Sequence, residues 1–324
     1  MSKKTITKNF SFVIFTVSVC CIFFGCHSVS STRKANVNRA ERDVSTAYDK
    51  PEIAGTIKSE EITESSGIVA SRCQSDVFWT HNDSGDGAFV FALDKTGKKL
   101  GVWSVKAAKN KDWEDLATIK NQNGECFLYI GDIGDNERKR SELTIYLVKE
   151  PTIAGDKENS TRKNPHSTEP ADAIKIQYAD ARYDAETLLI HPQSGDIYIL
   201  TKRLRDKSAI YKLSKNYSLN KINRLEKIAD FTVPSVPYGF LTGGDISSDG
   251  KRVIIADYLA AYEIVLPATA KNFDDIWREK PLIVELGERE QGEAICYSAD
   301  GESIYATSEN LNSPVIEVKR KRTF

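Results

Sequence analysis

The sequence is short of the groups on which most enzymes build their chemistry. It has four histidines in 324 residues, and of these His81 alone lies near a candidate site; His166 falls in a polar stretch and His191 stands beside a turn proline. Of its six cysteines, Cys20 and Cys21 belong to an N-terminal apolar segment, while Cys73, Cys126 and Cys296 are spaced too widely for a zinc knuckle. Three is an odd number, which excludes a disulfide framework and leaves either one bridge or three small residues buried in strands. There is no G-x-S-x-G elbow, no P-loop and no H-E-x-x-H. Positive charge is not in excess. The net charge is −1 for the whole chain and −4 from Cys26 onward, which gives no sign of a nucleic-acid partner. The basic run 319-KRKR-322 reads as a solvated terminus. Amphipathic helical periodicity is missing between the apolar runs, so a parallel βαβ fold is not expected; 270-AKNFDDIWRE-279 offers one or two helical turns in a loop.

The one long apolar run is at the N-terminus. Lys3, Lys4 and Lys8 precede 10-FSFVIFTVSVCCIFFG-25, a basic region and an apolar region of signal-peptide length, too short to span a bilayer comfortably. It ends in 23-FFGC-26, a small residue followed by cysteine, the pattern of a bacterial lipoprotein processing site. Residues 1–25 are therefore expected to be a signal peptide and Cys26 the lipidated residue, with a simple cleaved signal as the alternative. Residues 26–50 read as a polar tether and 51–324 as the folded domain. The expected location is the cell envelope outside the cytoplasm, with a lipid anchor as the only membrane contact and a monomeric domain.

A repeat organises that domain. Five segments share an acidic residue, a short apolar strand, a polar turn and a second strand rich in aromatic and β-branched residues. They are 64-ESSGIVASRCQSDVFWTHND-83, 114-EDLATIKNQNGECFLYIGD-132, 186-ETLLIHPQSGDIYILTKR-203, 245-DISSDGKRVIIADY-258 and 293-EAICYSADGESIYATSEN-310. Asn-Gly, Ser-Gly-Asp and Asp-Gly sequences punctuate four of the turns, as tight hairpins require. A third strand follows each unit, and the first four units have fourth-strand candidates at 100–107, 173–179, 222–231 and 281–286. The initial acids lie 50, 72, 59 and 48 residues apart, close to the length of a propeller blade. The long interval holds 154–172, which reads as an exposed insertion. The last unit runs out of chain, and 52-EIAGTIKS-59 has no partner ahead of the first. The pattern predicts an all-β chain forming a single β-propeller of five blades, with six as the alternative, whose last blade is closed by the N-terminal strand.

The first strand of each blade lines the central channel. Glu114, Glu186 and Glu293 each stand two residues before an apolar strand residue; Asp245 and Glu64 are out of phase. A ring formed by Glu64, Glu114, Glu186, Asp245 and Glu293 at one mouth would be self-repelling, and a hard divalent cation such as calcium would relieve it. The competing reading is that these acids accept backbone N–H groups at strand starts. The ends of the second strands, 81-HND-83, 131-GDIGDN-136, 202-KR-203, 257-DY-258 and 308-SEN-310, should reach the same mouth. From them and from 112-DWEDLA-117 come the other candidates: Asp112, Asp132 and His81 for proton transfer, Lys202 and Arg203 for an anionic small molecule, and Trp113 as a pocket wall. For His81 the alternative is a hydrogen-bonded structural role, and for Lys202 and Arg203 a salt bridge to a neighbouring blade. The 83-DSGDG-87 run lacks the downstream acid of a calcium loop and reads as a turn.

The order E-x-S-G-I (64–68), W-T-H-N-D-S-G (79–85), D-W-E-D-L-A (112–117), G-D-I-G-D-N (131–136), K-E-P (149–151), D-A-E-T-L (184–188) and T-G-G-D-I-S-x-D-G (242–250) resembles secreted bacterial β-propeller proteins, whose broader relatives include the phytase-like and SdiA-regulated groups. The resemblance covers residues 60–310. It implies a calcium-bearing propeller and a phosphoesterase, similar in concept to calcium-activated nucleotidases. The dense Lys/Arg pocket of a phytase is not in this chain. The expected function is thus an envelope propeller with calcium in an acidic channel that binds, and in one reading hydrolyses, an anionic small molecule such as a phosphate ester. The alternative is a non-catalytic module for a ligand or envelope partner, with a structural calcium.

Overall fold

A computed structural model describes residues 43–153, 160–235, 239–289 and 291–322. The expected signal peptide, Cys26 and the first part of the tether lie outside these residues. Among the described residues no helix is long and apolar enough to cross a membrane.

Strand β1 (Glu52–Thr56) precedes a first antiparallel sheet of β2 (Gly67–Ala70), β3 (Phe78–His81), β4 (Phe89–Leu93) and β5 (Lys99–Ser104). A second sheet contains β6 (Trp113–Lys120), β7 (Cys126–Asp132) and β8 (Leu143–Lys149); after the short β9 (His166–Ser167), β10 (Asp172–Tyr178) completes it. The third comprises β11 (Ala185–Ile190), β12 (Ile197–Thr201), β13 (Ser208–Leu213) and β14 (Asn223–Phe231). The fourth comprises β15 (Gly243–Ile246), β16 (Arg252–Ala256), β17 (Ala261–Val265) and, after a 3-10 helix at Phe273–Arg278, β18 (Leu282–Val284). In the last sheet β19 (Gly292–Tyr297), β20 (Ser303–Ser308) and β21 (Pro314–Lys319) receive β1 as their outer strand, with Glu52 opposite Glu317 and Thr56 opposite Pro314. The first strands pack in a cycle: β2 beside β6, β6 beside β11, β11 beside β15, β15 beside β19, and β19 beside β2. The architecture is an all-β propeller in which each first strand faces the axis.

The alternation of apolar residues along the strands explains the packing. Each junction between neighbouring sheets holds its own apolar cluster, for example Ile176, Leu188 and Ile199 between the second and third, or Ile254, Ile295 and Ile316 between the fourth and fifth. Burying one such side chain stabilises the fold by roughly 1.5–3 kcal/mol. Pairing β1 with β21 ties the chain's two ends into one sheet and covers an edge that would otherwise invite another chain.

Part of the expected insertion is fastened down. Ser160 Oγ accepts from Val102 N at 2.8 Å, and β9 runs parallel to β5. Its polar, aperiodic sequence hides this role, because backbone groups supply the pairing. A disulfide joins Cys73, in a turn of the first sheet, to Cys126 at the start of β7, with Cα atoms 6.0 Å apart. Closing a loop of 53 residues is worth about 4 kcal/mol in the chain-entropy account. Cys296 is buried and unpaired.

Candidate functional site

Three glutamates occupy the same kind of position on their strands. The pairing of β6 with β7 slips by one residue between Trp113 and Asp115, that of β11 with β12 between Ala185 and Thr187, and that of β19 with β20 between Gly292 and Ile295. The extra residue of a β-bulge is freed from the alternating pleat and its side chain is re-aimed. Here the slips fall at Glu114, Glu186 and Glu293, all of them buried. They feel one another. Burial pushes each carboxyl up, and the charge of Glu186 adds to the shift at both Glu114 and Glu293.

Around Glu114 the acids converge most tightly. One carboxylate oxygen each from Asp83, Asp112 and Glu114 lies within 4.8 Å of the other two. Asp83 comes from the loop after β3 and Asp112 from the residue before β6. Gly134 covers them, and a Cβ there would overlap both Glu114 and Asp112. Burial, then the charge of Asp83, pushes Asp112 up to about 6, with the Arg140 guanidinium opposing. Asp83 is raised by burial as well. The nearest cations are engaged elsewhere: Arg140 pairs with Asp132 at 2.8 Å and Lys202 with Glu186 at 2.5 Å. Further round the mouth, burial, then the charges of Glu186 and Glu309, push the Glu293 carboxyl up to about 10. Glu64 faces Asp83 and Glu309, and burial and those charges raise it.

The ring expected from the sequence is not the set brought together. Asp245 leaves it. Its Oδ1 accepts from Ile246 N at 2.8 Å and its Oδ2 from Tyr297 N at 3.1 Å, and Arg72 stands 3.8 Å away. Asp115 does the same two first strands away, accepting from Leu116 N at 2.8 Å and Leu188 N at 2.9 Å. Both stitch their own strand to the neighbouring first strand, the backbone-bonding reading of these acids. The reason is register: β15 pairs regularly with β16 through Asp245, so no bulge turns that side chain toward the mouth.

The other candidates divide similarly. Asp112 is in the cluster. Asp132 is buried against Arg140 and accepts from Asp112 N at 3.2 Å, which makes it a support. His81 is fully buried, with Nδ1 2.8 Å from Asn82 O and its ring edge-on to Trp113 at 5.8 Å. Burial pulls its pKa down to about 4, so the ring is neutral and Nε2 has no partner. Trp113 is a core residue, its Nε1 donating to Lys109 O at 3.1 Å; it packs between the first two sheets and does not wall the pocket. Lys202 is held between Glu186 and the faces of Phe240 and Tyr258, 4.4 and 5.0 Å from the ring centres. Arg203 pairs with Asp206 at 2.6 Å and lies over Tyr183. The two cations expected to hold an anion are thus both engaged.

Asp83 and Glu309 were missed as candidates although 81-HND-83 and 308-SEN-310 contain them. The available signal was their place just past the end of a second strand.

The three carboxylates suit a calcium ion as donors. Two oxygens on opposite sides of calcium at about 2.4 Å are about 4.8 Å apart, whereas magnesium at about 2.1 Å demands about 4.2 Å. Carboxylate oxygens gathered this closely are the hard donors that calcium takes. No family model matches the chain, and no curated protein matches it. Among solved structures, the PQQ-bound form of aldose sugar dehydrogenase from Streptomyces coelicolor aligns over 84% of this chain and 98% of its own, with a TM-score of 0.48 and 9% identity.

Proposed function

We propose that this protein is an extracytoplasmic propeller whose channel mouth binds one calcium ion and, beside it, an anionic small molecule. The observation that carries the reading is the convergence of Asp83, Asp112 and Glu114 under Gly134, with the neighbouring cations committed to other carboxylates. Three like charges in a half-desolvated mouth oppose one another's ionisation, and a divalent cation reverses that penalty. Asp83, Asp112 and Glu114 would hold the ion; when bound it would supply a positive charge able to face an anionic ligand. The Cys73–Cys126 bridge supports a location in an oxidising compartment, and the signal-like segment with Cys26 supports a lipid-anchored one.

Binding takes precedence over hydrolysis in this reading. Of the three residues expected to move protons, His81 is sealed in the core and Asp132 is paired with Arg140. Asp112 alone is at the cluster, and there it serves as a ligand. Calcium titration of the chelator-treated protein by calorimetry tests the proposal. One tight site that disappears in Glu114→Gln and Asp112→Asn is the expected outcome; no calcium binding by the wild-type protein would refute it. Calcium-dependent turnover of generic phosphomonoesters, phosphodiesters or nucleotides would move hydrolysis ahead of binding.

A further inference from the structure

Cys73 and Cys126 stand 53 residues apart in the chain, a spacing that excludes a zinc knuckle, yet the fold joins them. A third group lies beside them. One carboxylate oxygen of Glu150 is within 4.8 Å of both sulfurs. Cys73 comes from the turn between β2 and β3, and Cys126 opens β7. Glu150 directly follows β8, and its N–H donates to Cys126 O at 2.9 Å. Three segments of two sheets thus bring two sulfurs and a carboxylate to one point. That point is far from the acidic mouth, which lies at the other end of β7, beside Asp132.

The two oxygens of Glu150 are treated differently. Oε1 accepts from Gln74 Nε2 at 2.8 Å and from Trp79 Nε1 at 3.0 Å. Oε2 is buried and has no hydrogen-bond partner. Glu150 as a whole is only 8% exposed, so the unmet oxygen costs free energy, and a disulfide has no proton to donate to it. A carboxylate with one oxygen fixed by outer hydrogen bonds and the other left free is oriented as a metal ligand is. Cys126 is buried as well, but Cys73 is exposed, so an ion can reach the group from the Cys73 side.

We propose that, once the Cys73–Cys126 bond is reduced, the two cysteines and Glu150 bind one zinc ion. The reductant is a thiol or dithiol. It supplies two electrons and two protons, the S–S bond breaks, and the reductant leaves as its own disulfide. As zinc binds, the two cysteine protons pass to water. Two thiolates, a carboxylate and a water on the Cys73 side make the four ligands zinc accepts, whereas calcium and magnesium do not favour sulfur. Tetrahedral zinc holds two sulfurs about 3.8 Å apart and a sulfur and an oxygen about 3.5 Å apart, so the sulfurs must part and the oxygen must close by on the order of 1 Å. The first and second sheets are then fastened here in either redox state, by the bridge or by the ion. The site goes beyond the calcium reading and does not rest on it.

The test uses the full chain reduced with a phosphine. Cys20, Cys21, Cys26 and Cys296 can also take metal, so Cys73→Ser/Cys126→Ser gives the baseline. Zinc uptake is measured by competition with a chromogenic chelator. Cobalt(II) in place of zinc reports sulfur ligation through its thiolate charge-transfer band. The reduced wild-type chain is expected to bind one zinc more than the baseline and to show a stronger cobalt–thiolate band; the oxidised chain should show neither excess. Glu150→Gln should weaken this zinc by about tenfold or more with both thiols still titratable, and Gln74→Ala by about tenfold. The second variant keeps the test decisive if Glu150→Gln does not fold. Equal zinc uptake by the reduced wild type and the baseline overturns the proposal, as does an equal cobalt band. Unchanged affinity in Glu150→Gln or in Gln74→Ala also overturns it, because two thiols alone would then account for the binding.

Discussion

Glu114 and Asp115 are neighbours in the chain and belong to different layers of the channel. Glu114 sits on a bulge and enters a group of carboxylates that compete for space and charge. Asp115, one residue later, is back in register and spends both oxygens on backbone N–H groups of two first strands. Asp245 repeats the second role in the fourth sheet, and Glu186 and Glu293 repeat the first in the third and fifth. A single extra residue in a ladder thus separates an acid that holds the propeller together from one that remains available to a ligand. Acidity alone does not distinguish the two layers; the acceptors' partners do.

The largest effect should come from removing an acid that bonds the backbone. Asp115→Ala leaves the Leu116 and Leu188 N–H groups buried without an acceptor, and urea unfolding should show a loss of about 3 kcal/mol; a loss below about 1 kcal/mol would erase the distinction between the layers. Next is the pH dependence of Asp245, which burial, against the pull of Arg72, pushes up to about 6 from 3.8. The folded chain then binds more protons than the unfolded one between those values, so this group's contribution is complete below about pH 4 and is lost as pH rises through 6, by up to about 3 kcal/mol. Asp245→Asn should flatten that part of the stability curve; an unchanged slope would count against it. Calcium should separate the layers most clearly. At a hundredfold excess over its dissociation constant it should stabilise the wild-type chain by about 2.7 kcal/mol. That gain should survive in Asp245→Asn and vanish in Glu114→Gln when melting is followed with and without calcium. The smallest effect is expected at Arg203, whose partner Asp206 is largely exposed: Arg203→Ala should cost less than about 0.5 kcal/mol, and a larger loss would give this pair a weight that its exposure argues against.

The strands were legible because alternation and turn dipeptides act locally. The Asn-Gly and Asp-Gly turns put glycine at positive φ where the hairpins need it, at Gly124, Gly250 and Gly301. All four fourth-strand candidates became strands, and the run at 52–59 supplied the outer strand of the last sheet. In the site, Glu114, Glu186 and Glu293 were visible from spacing and Asp112 from the acid cluster 112-DWEDLA-117. Asp83 was not. Asp83 looked like one residue of a turn, and its value depends on facing Asp112 from another sheet. For Lys202 and Arg203 the structure shows ion pairs, Lys202 with Glu186 across the β11–β12 hairpin and Arg203 with Asp206 three residues on.

By itself the sequence determined that the domain from residue 51 onward is built of β-strands, where its hairpins turn, and that the strand at 52–59 completes the last repeat, since an incomplete last repeat and an unpaired first strand complement each other. Only the tertiary structure decided which acids bond the backbone and which face one another, and that Cys73 meets Cys126. The physical reason is range. Strand and turn preferences act between residues a few positions apart, whereas charge, desolvation and ladder register are set by groups that meet only when five first strands pack around one axis.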